Sequence, residues 1–272
     1  MKFPYCARPW ALAVINMDTT PTDNSEFANN VYKSNMDLFF NPEIERRRQL
    51  NMLPENFMLL AAQAIFFPDG RPHIVRLNEE VSAEVKVKKG IDTSSPNFWA
   101  KIDEVEHVSL NDTAFLNCGH STLILFKDGY QLTFDFQYNK QLSNEHLEVA
   151  REFLEVSKYA LEKNLVYAFL DNAFSTIELL AKTNLFLETN KSVLGRTNHG
   201  TIKSEYNRRF KNSQNDFETE RREAFNKLSG IRAKARYLEG QVNIEQSDLT
   251  TIFTTIDKMF LDLSARTKFN HS

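Results

Sequence analysis

The sequence is poor in the residues that build most recognisable active sites. It has two cysteines, eight glycines and six histidines in 272 positions. Cys6 and Cys118 stand far apart, and neither belongs to a CxxC or a Cys/His cluster. No zinc site is predicted, and isolated cysteines of this kind point to reduced thiols. So few glycines leave no phosphate-cradling loop: the P-loop and GxGxxG patterns are absent, as are GxSxG and HExxH. The histidines at 73, 107, 120, 146, 199 and 271 are scattered, and each reads as a surface or satisfied side chain. No cofactor or metal is implied. No apolar run is long enough for a membrane-crossing helix; the longest, Phe57–Phe67, is broken by Gln63. Near the N-terminus Pro4, Arg8 and Pro9 interrupt the apolar residues, and Asn16 and Asp18 follow, so the pattern is not that of a signal peptide. A cytoplasmic protein with no membrane partner is expected. The net charge of −3 does not by itself call for a polyanion.

Hydrophobic residues make up 42% of the chain and charged residues 25%, which suits a globular fold with a full core. The 22 phenylalanines are read first as core filler. Residues 18–56 are polar and show no strong period; a loop with a short helix near 42–50 is expected. From Phe57 the pattern becomes strand-like. Pro68-Asp69-Gly70 signals a turn, and His73–Leu77 returns as a strand. Val81, Ala83, Val85 and Val87 alternate with polar residues, the two-residue period of a half-buried strand. Ser121–Phe126 and the alternating Tyr130, Leu132, Phe134 and Phe136 flank Asp128-Gly129, a favoured hairpin turn. One twisted antiparallel sheet is predicted.

After Asn139 the period changes from 2 to about 3.6. Ser143 or Asn144 is suited to cap a helix carrying Leu147, Ala150, Leu154, Ser157 and Leu161. Leu165, Phe169, Ala173, Ile177 and Leu180 define a second stripe. Residues 188–202, with Gly195 and Gly200, read as a loop. Phe217, Arg221, Ala224, Leu228, Ile231, Ala235 and Leu238 then recur four and three apart, a heptad-like seam that Gly240 ends. A last helix carries Leu249, Ile252, Phe253, Ile256, Met259, Phe260 and Leu263 on one face. The fold class is therefore α+β: a β-rich domain over residues 1–140, then an antiparallel bundle of four to five helices over 143–266.

The seam helix is also the most basic part of the chain. Residues 203–239 hold ten Lys and Arg against six Asp and Glu. Arg208, Arg209, Lys234 and Arg236 are candidates for contacts to phosphates, which arginine binds bidentately. The plainer reading is a solvated face with intrahelical pairs such as Glu218–Arg222. Asp171, Asn172 and Glu178 are polar residues inside an otherwise apolar helix. Asp171 or Asn172 would brace Arg232 across the bundle if buried, since buried polar groups need partners. The acidic residues Asp103, Glu104 and Glu106 beside His107, and Asp128 and Asp135 at the hairpin, read as solvated loops.

The helix order, the basic loop and the Arg232-Ala-Lys-Ala-Arg236-Tyr237 step late in a long helix resemble the HEPN superfamily of small helical bundles. The likeness covers roughly 143–266. Leu154, Ala160, Ala168 and Ala173 fall where that fold packs its leading helix pair. HEPN ribonucleases pair two copies, so that an Arg-x4–6-His motif from each lines a shared cleft. The resemblance places Arg232 at the arginine that holds the scissile phosphate and Tyr237 at the histidine. Tyrosine donates a hydrogen bond but is a poor proton shuttle at neutral pH. Residues five apart on a helix sit about 140° apart, so Arg232 and Arg236 are the closer facial neighbours.

Three functions are consistent with these residues. The first, and the favoured one, is a HEPN-like module that binds RNA, another nucleic acid or a nucleotide without turnover, of the kind found in stress or phage-defence systems. The second is a metal-independent endoribonuclease of the toxin type using Arg232 with Tyr237. The third is a protein whose helices dimerise while the N-terminal domain recognises a protein partner. The seam over 217–238 adds the expectation of a homodimer through the helical half.

Overall fold

The computed structural model describes residues 13–16, 23–95, 98–110, 112–189, 193–195, 198–237 and 240–267. The architecture is α+β: antiparallel sheets precede a helical bundle. Most of the chain divides between two compact units that meet in sequence at Phe136 and Gln137.

The first unit is built on a five-stranded sheet of order β1-β7-β6-β2-β3. Its strands are β1 (Ala13–Asn16), β2 (Ala61–Phe66), β3 (Ile74–Leu77), β6 (Gly119–Phe126) and β7 (Gly129–Asp135). Every neighbouring pair is antiparallel. The single sheet expected from the sequence is in fact two, because β4 (Ala83–Val87) and β5 (Val105–Leu110) pair only with each other. Phe126 pairs with Gly129, so Lys127 and Asp128 are the turn residues, one step earlier than the sequence suggested. Gly70 adopts a positive φ of 75° and closes the turn after β2, with its N–H donating to the Phe67 carbonyl.

The short helix expected near 42–50 is present, but residues 23–40, expected as loop, are helical as well. Helix α1 (Asp23–Asn35) runs through a π-helical turn at Met36–Phe40 into α2 (Asn41–Gln49). A π-turn advances the chain by fewer degrees per residue than an α-turn. It therefore rotates Phe40 and Ile44 back toward the side of Ala28, and all three pack with Ala62, Ala64, Leu123 and Leu132 of the sheet. On α2, Glu43 accepts hydrogen bonds from Arg46 at 2.7 Å and Arg47 at 2.6 Å, and Arg47 also reaches Glu80 at 2.8 Å. Those guanidiniums, Arg46 foremost, hold the Glu43 carboxyl down at about 2. Its folded value lies below the ordinary one. Its stabilisation is thus complete above the ordinary carboxylate range and is lost as pH falls toward 2. Glu43→Gln is expected to lower the denaturant midpoint at neutral pH, with the two proteins converging on acidification to pH 2. A gap that persists at pH 2 would show that the ion pairs are not its source.

Among the described residues the second unit holds five helices: α3 (Lys140–Glu162), α4 (Val166–Leu187), α5 (His199–Phe210), α6 (Asp216–Tyr237) and α7 (Gln246–Arg266). Helix α3 begins at Lys140, three residues before the expected cap, because Asn139 adopts the left-handed conformation at its N-terminus. Helix α4 packs against all four others. Phe169, Leu170, Ala173, Ile177, Leu180, Ala181 and Leu185 on it are fully buried, which explains its nearly continuous apolar sequence. Its buried Thr176 and Thr183 return their hydroxyls to carbonyls four residues back.

Helix α5 begins inside the stretch read as a loop and continues beyond it to Phe210. Asn198 caps it, its side chain accepting from the Thr201 N–H at 2.8 Å, and Ile202, Tyr206 and Phe210 face the core. The seam of α6 is intramolecular. Arg221, Ala224, Leu228 and Ala235 are buried in the chain's own core, and Leu238 lies outside the described residues. Phe217 and Ile231 of the seam are half-buried. Cys118 is buried, and burial pushes its thiol up, while Cys6 lies outside the described residues.

Candidate nucleic-acid interface

Helices α4 and α6 run antiparallel along one another. Phe225 of α6 meets Phe174 of α4, with ring centroids 6.1 Å apart. Further along α6, and correspondingly back along α4, Arg232 and Arg236 meet Asp171. Arg232 and Arg236 are one turn apart, so both project toward the same side of α4.

The contacts made by Arg232 are specific but loose. Its guanidinium carbon lies 4.4 Å from the centre of the buried Phe174 ring, a cation–π arrangement. Its Nε is 3.9 Å from Asp171 Oδ1, too far for a hydrogen bond, and that atom is buried without a hydrogen-bond partner among the described residues. Arg236 Nη1 reaches the same carboxylate oxygen at 3.5 Å. One carboxylate is thus shared by two guanidiniums, and neither is saturated.

Phe174 also meets His199, one of the scattered histidines of the sequence. The His199 ring packs edge-on against Phe174, 5.8 Å between centroids and 65° between planes. Its Nδ1 is hydrogen-bonded to Glu178 Oε1. A carboxylate only accepts, so Nδ1 donates this bond and Nε2 takes no part in it. The His199 side chain is 59% exposed and that of Glu178 only 12%. A nearly buried carboxylate therefore orients an accessible imidazole. Asp171, Phe174 and Glu178 follow at helical spacing along one side of α4, and together they line up Arg236, Arg232 and His199.

The other sequence-derived candidates fall elsewhere. Asn172 donates to the Ala168 carbonyl of its own helix at 2.7 Å and does not reach Arg232. Lys234 is exposed and projects about 200° around α6 from Arg232. Arg208 pairs with Glu205, and Arg209 pairs with Glu188 at the far end of α4. That end of α5 is about 15 Å from His199 by helical rise. Tyr237, at the position of the motif histidine, is 62% exposed, with its ring 5.9 Å from the Arg236 guanidinium. Glu218 pairs with Arg221 at 2.9 Å, not with Arg222. In the first unit, Asp128 is an exposed residue of the hairpin turn, as expected, and accepts from the Ile102 N–H at 2.9 Å, whereas Asp135 is buried and is not a solvated loop residue.

A groove of about 460 Å³ lies between α6 and α7, lined by Glu220, Lys227, Asp248 and Lys258 among others, but by none of these candidates. Among the described residues, no three His, Cys, Asp or Glu side chains are placed to hold a metal ion, and no helix is long and apolar enough to cross a membrane. No family model, curated protein or solved structure matches the chain.

Proposed function

We propose that the helical unit is a HEPN-like bundle that binds RNA through a backbone phosphate held by Arg232 and Arg236. The observation that carries this reading is the pair of guanidiniums, one turn apart, sharing the single carboxylate of Asp171 at distances of 3.9 and 3.5 Å. Two positive charges against one leave a net positive site. The Arg232 Nε is buried and makes no hydrogen bond among the described residues, so the guanidinium's donors are not all spent within the bundle. Phe174 fixes the plane of the Arg232 guanidinium and limits the freedom lost on binding.

Phosphate contacts release counterions, so affinity must fall with salt. Arg232→Ala and Arg236→Ala are each expected to weaken RNA binding by a similar factor across sequences. Each should also lower the slope of log affinity against log salt by about 1. Fluorescence anisotropy with labelled RNA over a salt series measures both quantities. Binding that is absent, or whose salt slope is untouched by both variants, would defeat the reading.

A second reading is supported by His199 and Glu178. An accessible imidazole, oriented by a carboxylate and packed on the same ring as Arg232, is suited to take the proton of a ribose 2′-hydroxyl. The 2′-oxygen would then attack the phosphorus, the 5′-oxygen would leave with a proton, and a 2′,3′-cyclic phosphate would remain. In this version the proton acceptor is His199 and not Tyr237. Cyclic-phosphate ends on the products are its signature.

A further inference from the structure

Two ion pairs tie α6 to α7. Lys227 Nζ lies 2.8 Å from Asp248 Oδ2, and Arg221 Nη2 lies 2.9 Å from Asp262 Oδ2. The pairs set the helices antiparallel, since numbers fall along α6 as they rise along α7. Along the stretch between them the helices do not close, and the groove of about 460 Å³ runs there. Its floor is formed by Ala224, 8% exposed, and Ile252, 4% exposed. Alanine fills little of a helix contact, and the space above it stays open.

The polar groups along this groove do not pair across it. Glu220 and Glu223 are exposed on α6 and Lys258 is exposed on α7; among the described residues none of the three makes an ion pair. Thr255 lines the groove and is only 7% exposed, yet its hydroxyl makes no hydrogen bond among the described residues. A polar side chain buried to this degree is normally hydrogen-bonded. The other threonines of the wall behave differently. Thr250, Thr251 and Thr254 donate to the carbonyls four residues back, at 3.0, 2.9 and 2.9 Å. Their hydrogens are spent on α7 itself, so toward the groove their oxygens only accept.

Register brings these groups together. Counted from the two ion pairs, Glu223 stands level with Thr255 and Glu220 level with Lys258. Glu220 and Glu223 are one turn apart on the same face of α6. Glu220, Glu223 and Asp248 set three carboxylates against the two ammoniums of Lys227 and Lys258. Lys227 and Asp248 offset each other, which leaves the middle of the groove with one negative charge in excess. An anion would meet two carboxylates and hydroxyls with no hydrogen left to give. A cation meets acceptors on both walls.

We propose that this groove binds an aliphatic ammonium group. Its head sits between Glu220 and Glu223 within reach of the Thr255 hydroxyl, and its carbon chain lies on Ala224 and Ile252. The site belongs to α6 and α7 alone and is independent of the phosphate-binding reading above. A free aliphatic amine and a lysine side chain of a partner protein present the same chemistry, and the test tells them apart.

Binding is read by NMR titration of the isotope-labelled full chain. The probes are cadaverine, a lysine peptide blocked at both ends, and pentanediol, which keeps the carbon chain of cadaverine without its charges. Cadaverine is expected to bind and pentanediol is not. Glu220→Gln and Glu223→Gln should each weaken cadaverine binding roughly 5-fold or more, and the double variant should abolish it. Thr255→Val keeps the shape without the hydroxyl and should weaken it roughly 2- to 10-fold. Lys258→Gln should tighten it, because it removes the like charge facing the ammonium. Both glutamates are exposed, so their replacement leaves the core intact, and an unchanged melting temperature checks this. Whichever of cadaverine and the peptide binds more tightly names the source of the ammonium. No binding of either up to about 10 mM, or binding untouched by both glutamine variants, overturns the proposal. So does weaker cadaverine binding by Lys258→Gln, which would make the groove a site for an anion or a zwitterion.

Discussion

Arg221→Ala is expected to cost the helical unit about 3–5 kcal/mol, the range for stripping one partner from a buried ion pair. Arg221 is 1% exposed, the largest fully buried side chain among the described residues. Its two Nη atoms donate to Glu218 Oε1 and Asp262 Oδ2, each at 2.9 Å, and its guanidinium carbon lies 3.6 Å from the Phe217 ring. The surroundings make the loss severe. Burial already pushes the Glu218 carboxyl up, and Arg221 is the nearest charge opposing that shift. The Tyr206 hydroxyl also donates to Glu218, and burial raises the Tyr206 phenol. Alanine would leave two carboxylates facing each other, with only Arg266, 3.7 Å from Asp262, to compensate. A drop in melting temperature of roughly 10 °C or more follows from that free energy. Chemical unfolding followed by far-ultraviolet circular dichroism measures it. Arg208→Ala, which removes only an exposed pair with Glu205, should leave the transition in place. An Arg221→Ala protein that unfolds within 1 kcal/mol of the wild type would show that the network is solvated and not a buried lock.

That network also shows how sequence and structure differ here. The 4-3 spacing of α6 places Arg221 in the seam, and the seam is real. A heptad pattern cannot say whether its partner is another chain or the neighbouring helices of its own bundle. Here Leu228 and Ala235 meet the chain's own core, and the partners of Arg221 come from the next turn of α6 and from α7. Helices α4 and α7 were legible because their apolar residues recur over about six turns. Helix α5 was not, although Ile202, Tyr206 and Phe210 recur at four-residue spacing. Its stripe is only three residues long, and Gly195 and Gly200 beside it are turn signals. In the first unit, α1 places Ala28, alone among its described side chains, fully in the core, and the π-turn then breaks the period that would reveal Phe40 and Ile44.

The same two causes account for what was visible of the candidate site. Asp171 and Asn172 both stand out as polar residues inside an apolar helix, and the sequence does not say which of them faces Arg232; in the structure it is Asp171 that approaches it, at 3.9 Å. His199 was one scattered histidine among six until α5 brought it to Glu178 and Phe174. A site assembled from three helices becomes readable only when the shortest of them is placed.

His199→Ala is expected to lower RNA cleavage about 10²–10⁴-fold, the usual contribution of a positioned general base, if the second functional reading holds. RNA binding should survive, because the phosphate ligands Arg232 and Arg236 are untouched. Arg232→Ala should instead impair both. Glu178 acts through His199 and is a positioning residue: Glu178→Gln removes the charge that fixes the Nδ1 proton and should lower kcat with little change in KM. Tyr237→Phe should cleave at the wild-type rate, which separates His199 from the position the resemblance assigns to proton transfer. The assay is purified protein with RNA in EDTA, with products analysed for 2′,3′-cyclic phosphate ends. If the wild type leaves RNA intact while binding it in a salt-dependent manner, the chain is a binder and His199 only shapes the site. If cleavage occurs and persists in His199→Ala, the base is another group and the His199–Glu178 pair is structural. Cleavage lost in His199→Ala but kept in Tyr237→Phe would identify a proton acceptor from a separate helix, set beside the phosphate ligand by the shared ring of Phe174.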